Sequence, residues 1–162
     1  MPTITIDTPA LPVPRRRAVA VRLTRWLSRR GVPPANVVVR FVDTPPHSAF
    51  SGGMSLDALP HGESPLRHAS VVCRVGPERD ESFREGLARE VAEALGVTAE
   101  TPFLYVEFRP TSPGHVYVAR DGHPRRADRP EDRPEDRPRQ TDPTDPTDPT
   151  DPTDPEKEPQ PR

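Results

Sequence analysis

The stretch Pro2-Thr3-Ile4-Thr5-Ile6-Asp7, directly after Met1, decides the fold of this chain. Threonine and isoleucine alternate along it, and this pattern of β-branched side chains predicts a strand with one apolar face. Removal of Met1 would leave Pro2 with a free secondary amine, and burial among apolar groups favours the neutral, basic form of an amine. We therefore expect a strand that holds a base rigidly in the core; the alternative is that Pro2 only protects the terminus.

Composition divides the chain into two parts. Of its 162 residues 25 are proline, and the prolines are densest near the end, where a Thr-Asp-Pro triplet is repeated over residues 141–155. Such a segment has too little apolar surface to offset the cost of ordering its backbone, and proline removes hydrogen-bond donors. We predict one folded domain in residues 1–119 and a disordered, extended tail in residues 120–162.

Charge and apolar content argue against several classes of protein. Residues 1–119 contain 14 arginines and 12 acidic residues, which is not the basic excess of a nucleic-acid-binding protein. No apolar run is long enough to span a membrane and no leader pattern is present, so a soluble cytoplasmic protein is expected. Cys73 is the one cysteine and lies in an apolar run, which indicates a core residue. The histidines lack the paired spacing of a zinc site, and no metal is expected.

The first half of the domain continues with a helix and a strand. Apolar residues at helical spacing predict a helix that ends at Gly31; they are Val19, Leu23, Trp26 and Leu27. Residues 36–43 are rich in β-branched side chains and predict a buried strand. Arg40 interrupts this strand, and a guanidinium there has to reach a carboxylate, solvent or an anionic ligand. Arg40 is therefore either a ligand-binding residue or an outward-facing arginine at a sheet edge.

The second half repeats the plan after a turn at Gly52 and Gly53. Residues 69–75 predict an inner strand, residues 103–108 predict the last main strand, and residues 115–118 predict a short closing strand. Ser82 with Glu85 matches a capping box at the start of the helix between them. The apolar stripe of that helix, which Gly96 ends, consists of Phe83, Leu87, Val91, Ala94 and Leu95.

Two such halves predict an α/β (α+β) fold. Each βαβ unit pairs parallel strands through a right-handed crossover, and two units side by side form a four-stranded sheet with two helices on one face. Alternating apolar residues on the other face have no partner within one chain. We therefore expect subunits to pack their sheets inward as an oligomer.

In this order and at these spacings the features resemble the tautomerase superfamily. The resemblance is closest to its βαββαβ branch, which includes macrophage migration inhibitory factor and D-dopachrome tautomerase, and it covers residues 2–118. It rests on Pro2 at the start of a strand, on the helix that ends at Gly31 before Pro33-Pro34, on Ala49-Phe50-Ser51-Gly52-Gly53, and on Ser82-Phe83 at the second helix. It implies a homotrimer with active sites at subunit interfaces, and a reaction without cofactor in which Pro2 shuttles a proton between carbon and oxygen.

The resemblance also assigns the other site residues. A pocket lysine of the family falls on Val32, which is a departure, and Arg40 and Arg74 are the candidates to replace it. Arg74 matches a family lysine, and Arg40 is similar in position to a substrate-binding arginine of 4-oxalocrotonate tautomerase. The remaining substrate-binding positions fall on Phe50, Val72, Phe103 and Tyr105. For Arg74 an exposed strand arginine, and for Tyr105 a core tyrosine, remain open alternatives.

We interpret the chain as a cofactor-free tautomerase that acts on a small 2-oxo acid or its enol, such as an aryl pyruvate. Pro2 would be the acid and base, with Arg40 or Arg74 binding the carboxylate. A related decarboxylase or hydratase on the same scaffold is an alternative. A different class is a catalytically inactive trimeric scaffold that displays acidic tails to partners, which Val32 and the tail favour.

Overall fold

Two strand-helix-strand halves form the structure, a computed structural model that describes residues 1–119 and 122–128. Within each half the two strands are parallel. In chain order the helices and strands are β1 (Thr3–Thr8), α1 (Val13–Ser28), β2 (Val38–Asp43), β3 (Phe50–Ser51), β4 (Met54–Ser55), β5 (His68–Val75), α2 (Glu81–Leu95), β6 (Phe103–Pro110), β7 (Tyr117–Ala119) and β8 (Pro124–Arg126).

The main sheet has four strands in the order β2-β1-β5-β6. β1 and β5 are antiparallel at its centre, and each has its parallel partner on the outer side. Parallel partners require a crossover, which α1 and α2 supply. The two helices share one apolar core with the sheet, and Trp26 of α1 meets Phe83 of α2 edge to face with ring centroids 5.3 Å apart. The predicted fold class, a four-stranded sheet with both helices on one face, is confirmed.

β1 has the alternation that its sequence predicts. Ile4 and Ile6 are fully buried against the helices, whereas Thr3 and Thr5 are half-buried on the opposite face. Burial of each isoleucine stabilises the fold by roughly 1.5–3 kcal/mol. At the end of the strand Thr8 is buried as well, because its hydroxyl donates to the His68 carbonyl oxygen at 3.0 Å.

The apolar stripe of α1 is also confirmed. Its buried residues are Val19, Leu23, Trp26 and Leu27. Pro14 lies in the first turn of the helix, where the missing N–H costs no helical hydrogen bond. After the helix ends, Gly31 adopts φ +81°, a left-handed conformation that reverses the chain toward β2.

The start of α2 differs from the prediction, and the capping box of Ser82 and Glu85 is wrong. Asp80 is the N-cap residue, and its carboxylate accepts from the Phe83 backbone N–H at 2.8 Å. The Ser82 hydroxyl donates to the same carboxylate at 3.0 Å. These two hydrogen bonds, the first above all, lower the pKa of Asp80. The predicted stripe of α2 is buried, and Gly96 ends the helix in the left-handed conformation.

The strand over residues 36–43 was expected to be buried, and this is wrong. β2 is an edge strand that packs Val39 and Phe41 partly against the core and leaves Val38 and Arg40 exposed. The helices cover only one face of the sheet, and within the described residues no strand pairs with the outer edge of β2. The high β-propensity of these residues therefore predicts a strand but does not predict whether the strand lies at the centre or at the edge of the sheet.

The described chain continues in a regular way past residue 119. β7 and β8 form an antiparallel pair in which Tyr117 lies opposite Arg126, and the Arg126 guanidinium donates to the Asp128 carboxylate at 2.8 and 3.1 Å. Residues 122–128, counted above with the tail, thus contain a strand, which corrects the expected disorder for this segment. The rest of the predicted tail, residues 120, 121 and 129–162, lies outside the described residues.

Candidate active site

One face of the sheet is not covered by helices, and this open face carries the candidate site. Paired residues on neighbouring strands point to the same side, so the register defines rows across the face. The first row is Val38, Thr3, Arg74 and Arg109. The second row is Arg40, Thr5, Val72 and Glu107. The third row is Val42, Asp7, Ser70 and Tyr105.

Pro2 precedes the first row by one residue, and the alternation of β1 gives its side chain the buried direction of Ile4 and Ile6 rather than that of Thr3. It is buried and directly precedes Thr3, and its carbonyl oxygen accepts from the Val38 backbone N–H at 3.2 Å. This hydrogen bond extends the ladder between β1 and β2 back to Pro2 and fixes the backbone there. A nitrogen at this position is held at the start of one of the two central strands of the sheet.

Arg74 is the predicted cation nearest to Pro2 along the sheet. It lies opposite Thr3, the residue that follows Pro2, and it is exposed. Arg40 is exposed as well but lies beside Thr5 in the second row, two residues or about 7 Å further along β1. Neither guanidinium makes a hydrogen bond or ion pair within the described residues. The structure therefore gives two exposed cations without a hydrogen bond or ion pair among the described residues, and Arg74 lies one row closer to the Pro2 end of β1 than Arg40.

Arg109, the next arginine of the first row, is neutralised by Glu107 on the same strand, β6. The Arg109 guanidinium donates to both carboxylate oxygens of Glu107, at 2.7 and 3.0 Å. This hydrogen-bonded pair, assisted by the charges of Arg109 and Arg74, lowers the pKa of Glu107. Neither residue is predicted as a site residue from the sequence, although an acid and a base two positions apart on one strand share a face and could have signalled the pair.

The two predicted valines have different surroundings. Val32 is only 6% exposed and belongs to the hydrophobic core between α1 and β2. Its side chain is therefore a packing residue, and the structure does not bring it to the open face. Val72 is half-buried in the second row, between Thr5 and Glu107, where an apolar side chain can line a pocket.

The aromatic candidates lie at the other end of the sheet. Tyr105 is in the third row and Phe103 pairs with His68 one row beyond it, so they lie about 13 and 20 Å from the first row along the strands. Tyr105 is 48% exposed. Within one chain the structure does not bring Phe103 or Tyr105 to Pro2.

Phe50 belongs to that far end as well. It is 61% exposed on the β3–β4 hairpin, whose turn at Gly52 and Gly53 has φ values of +58° and +82°. Two positive φ values are the geometry of a type I′ hairpin turn, and the predicted glycine turn is confirmed. After the hairpin, Asp57 Oδ1 lies 3.5 Å from His68 Nε2, which places this segment beside the far end of β5.

The contact between Asp57 and His68 is a second feature that the sequence did not reveal. Asp57 accepts from the His47 backbone N–H at 2.7 Å, and this hydrogen bond, with a smaller contribution from His68, lowers the pKa of the Asp57 carboxyl. His68 is 3% exposed. The pair fastens the hairpin to the sheet, since it joins residues on either side of the loop.

Residues 1–119 and 122–128 contain no group of three or more histidine, cysteine, aspartate or glutamate side chains placed to hold a metal ion. In the same residues neither helix combines the length and apolar character needed to cross a membrane. Cys73 is fully buried, and burial raises the pKa of its thiol to about 12.

Comparison with known proteins gives matches in solved structures only. No protein-family model and no curated protein sequence matches the chain. A fused 4-OT described as an asymmetric trimer is 17% identical, with a TM-score of 0.54 over 75% of this chain and 94% of that one. N1, a member of the cis-3-chloroacrylic acid dehalogenase family, is 22% identical, with a TM-score of 0.53 over 75% and 82% of the two chains. Macrophage migration inhibitory factor of Toxoplasma gondii is 18% identical, with a TM-score of 0.53 over 75% and 98%.

These matches cover most of each solved chain, so the likeness extends over the whole βαββαβ arrangement. Their identities, at most 22% among the three, relate the folds and leave the site residues of this chain to be judged from its own geometry. The resemblance expected from Pro2, the two helices and the glycine turn is confirmed at that level, and the chain has the fold of the tautomerase superfamily.

Proposed function

We propose that the chain is a cofactor-free keto-enol tautomerase for a small 2-oxo acid such as an aryl pyruvate, with Pro2 as the general base and acid. The observation that carries the proposal is the placement of Pro2. It is buried at the start of the central strand β1 and adjoins a row that contains the unpaired Arg74. Solved structures with the same fold include a fused 4-OT and a macrophage migration inhibitory factor, which supports an enzyme of this type.

The chemistry follows from the amine and the cation. Once Met1 is removed, burial favours the neutral form of the Pro2 amine. The nitrogen lone pair takes the proton from the substrate carbon next to the ketone, and the electron pair of that C–H bond moves into the enolate. The protonated amine then returns the proton to the enolate oxygen, which completes the enol; the reverse direction uses the same two steps. Arg74 binds the substrate carboxylate and stabilises the developing negative charge.

The active form in this proposal is a homotrimer. Phe50, Phe103 and Tyr105 lie at the far end of the sheet from Pro2, so they complete a site only if they come from a neighbouring copy. The open face also exposes Val38 and Tyr105, which are 42% and 48% accessible in the single chain. A fused 4-OT with this fold is described as a trimer, which supports the same assembly here.

The test is turnover of an aryl pyruvate, followed through the absorbance of its enol. We expect conversion by the purified chain and a loss of at least about a hundredfold in Pro2→Ala, the range that general acid-base catalysis contributes. Pro46→Ala, at an exposed proline after β2, is the matched control and should keep full turnover. Intact mass establishes whether Met1 is absent. Equal turnover in Pro2→Ala, or turnover by a chain that retains Met1, would remove Pro2 from the mechanism.

A catalytically inactive scaffold is the second candidate, and the burial of Val32 favours it. The resemblance implies a lysine at this position, whereas Val32 is 6% exposed in the core and offers no charge. A trimer in solution that converts none of a panel of enolisable 2-oxo acids, with Met1 absent, would support the scaffold over the enzyme.

A further inference from the structure

A long groove follows α1 on the side that does not face the sheet. Its volume is about 860 Å³. One of its walls is a row of residues four positions apart, and the row extends over the whole helix and one residue beyond it: Val13, Arg17, Val21, Arg25 and Arg29. At 1.5 Å per residue, a row of this length measures about 24 Å. The residues that line the groove therefore span more than four turns of α1.

The charge in the groove is strongly positive and unpaired. Arg17, Arg25 and Arg29 are exposed and make no side-chain hydrogen bond or ion pair within the described residues. Arg22, in contrast, donates to Glu90 Oε1 at 2.6 Å and also pairs with Glu93 on α2. Four arginines and one glutamate line the groove, and the one acid is already occupied by Arg22. Three cations thus face solvent along one helix.

Apolar side chains separate these cations. Val13 is 76% exposed and Val21 is 41% exposed, and both lie in the same row as the arginines. Exposed valines on their own are common at protein surfaces. Here they alternate with the first two unpaired arginines at a spacing of four residues, so the surface offers apolar and cationic contacts in a helical period.

We propose that this groove is a docking site for an acidic, amphipathic helical segment of a partner protein. Carboxylates on the segment would pair with Arg17, Arg25 and Arg29, and its apolar residues would cover Val13 and Val21. The proposal does not depend on catalysis, because α1 lies on the covered face of the sheet and the candidate active site on the open face. An assembly that packs sheets inward leaves the groove accessible.

The shape of the surface favours a peptide over other anionic partners. A flat bilayer would contact the rims of a groove but not its floor, whereas a rod-like helix fits along it. Nucleic acid contacts a basic surface mainly through phosphates and sugars, which pair with the arginines but gain little from the two exposed valines in the row.

The test is fluorescence anisotropy of the full chain with a labelled synthetic peptide of about 17 residues, the length of the row. The peptide carries glutamate and leucine at a spacing of four residues, in the order that complements α1. We expect saturable binding that becomes at least about tenfold weaker in the double variant Arg17→Glu and Arg25→Glu, since two solvent-exposed ion pairs are replaced by repulsion. Val21→Ser should weaken binding by a smaller factor.

A matched control separates the groove from net charge. The double variant Arg67→Glu and Arg89→Glu makes the same change in charge at two exposed arginines outside the groove, and it should bind the peptide as the native chain does. Circular dichroism of every variant confirms that the fold is kept. Equal losses in both double variants, or equal binding of a peptide with the same composition in scrambled order, would overturn the proposal. Tighter binding of a DNA duplex or of phosphatidylserine vesicles, lost in the groove variant, would overturn it in favour of those partners.

Discussion

The two unpaired arginines of the open face allow a sharp test of the proposed site. Arg74 lies in the row that adjoins Pro2, and Arg40 lies one row further along β1. Replacement of each by glutamine removes the charge and keeps a polar side chain of moderate size. If Arg74 binds the substrate carboxylate, Arg74→Gln should lose much more activity than Arg40→Gln.

The expected losses of activity follow from the positions of Arg74 and Arg40 in the first and second rows of the open face. A hydrogen bond to a charged group contributes about 1.5–3 kcal/mol, so loss of the Arg74 contact should lower kcat/KM by about 10- to 150-fold. Arg40 is about 7 Å further from the Pro2 end of the sheet. At an effective dielectric constant near 20, the attraction of two unit charges falls from about 4 kcal/mol at 4 Å to about 1.5 kcal/mol at 11 Å. An attraction of about 1.5 kcal/mol corresponds to about 13-fold, so Arg40→Gln should lower kcat/KM by no more than about 13-fold.

The assay is the initial rate of enol-to-keto conversion of an aryl pyruvate over a range of substrate concentrations. Arg89→Gln serves as the control, because this exposed arginine lies on α2, on the covered side of the sheet, and it should change kcat/KM by less than about threefold. If Arg40→Gln loses more activity than Arg74→Gln, the register of one chain does not predict which arginine binds the substrate, and the reasoning is refuted. Equal losses would show that both cations reach the substrate, one of them from a neighbouring subunit.

Two further predictions concern the fold. Asp80→Ala should raise the unfolding equilibrium constant about fivefold in urea titrations, because the N-cap hydrogen bond from the Phe83 N–H is lost. Ser82→Ala should change this constant much less. A larger effect of Ser82→Ala than of Asp80→Ala would instead support the capping box of Ser82 and Glu85. Burial raises the pKa of Cys73 to about 12, so above about pH 8.5 the unfolded chain releases the thiol proton and the folded chain keeps it. The free energy of unfolding should therefore fall by about 1.4 kcal/mol per pH unit above that value. Urea titrations between about pH 8 and 10 should show this slope in the native chain and not in Cys73→Ala; an identical slope in both would contradict the assignment.

Part of the candidate site was predictable from the sequence. Pro2 is predicted from its place after Met1 at the start of a strand, whereas Arg74 is assigned by the family resemblance; β1 and β5 place both at one end of the sheet, and their roles stay predictions. The neutralisation of Arg109 by Glu107 was not predicted, because it depends on which side chains share a face of β6 and which of them have free partners. The separation of Phe103 and Tyr105 from Pro2 was not predictable for a similar reason. Strand direction decides which end of β6 lies at the same end of the sheet as the start of β1.

The helix boundaries show the same division. The stripe of α2 was visible because helical periodicity is a local property of the chain. The choice of Asp80 over Ser82 as its N-cap was not, because it depends on the backbone conformation at the residue before the helix. For the groove on α1 the sequence showed only a run of arginines. The contacts of Arg16 with Asp43 and of Arg22 with Glu90 separate the paired cations from the free ones.

The sequence by itself determined the chain order of the four main strands and two helices, the apolar stripes of both helices, the alternation of β1 and the duplicated plan, since alternation and helical period are properties of neighbouring residues. Only the tertiary structure decided that β2 lies at an edge, that Val32 is a core residue, and that the aromatic candidates stand at the end of the sheet away from Pro2. These facts depend on register and strand direction, which bring together residues far apart in the chain and which no local pattern specifies.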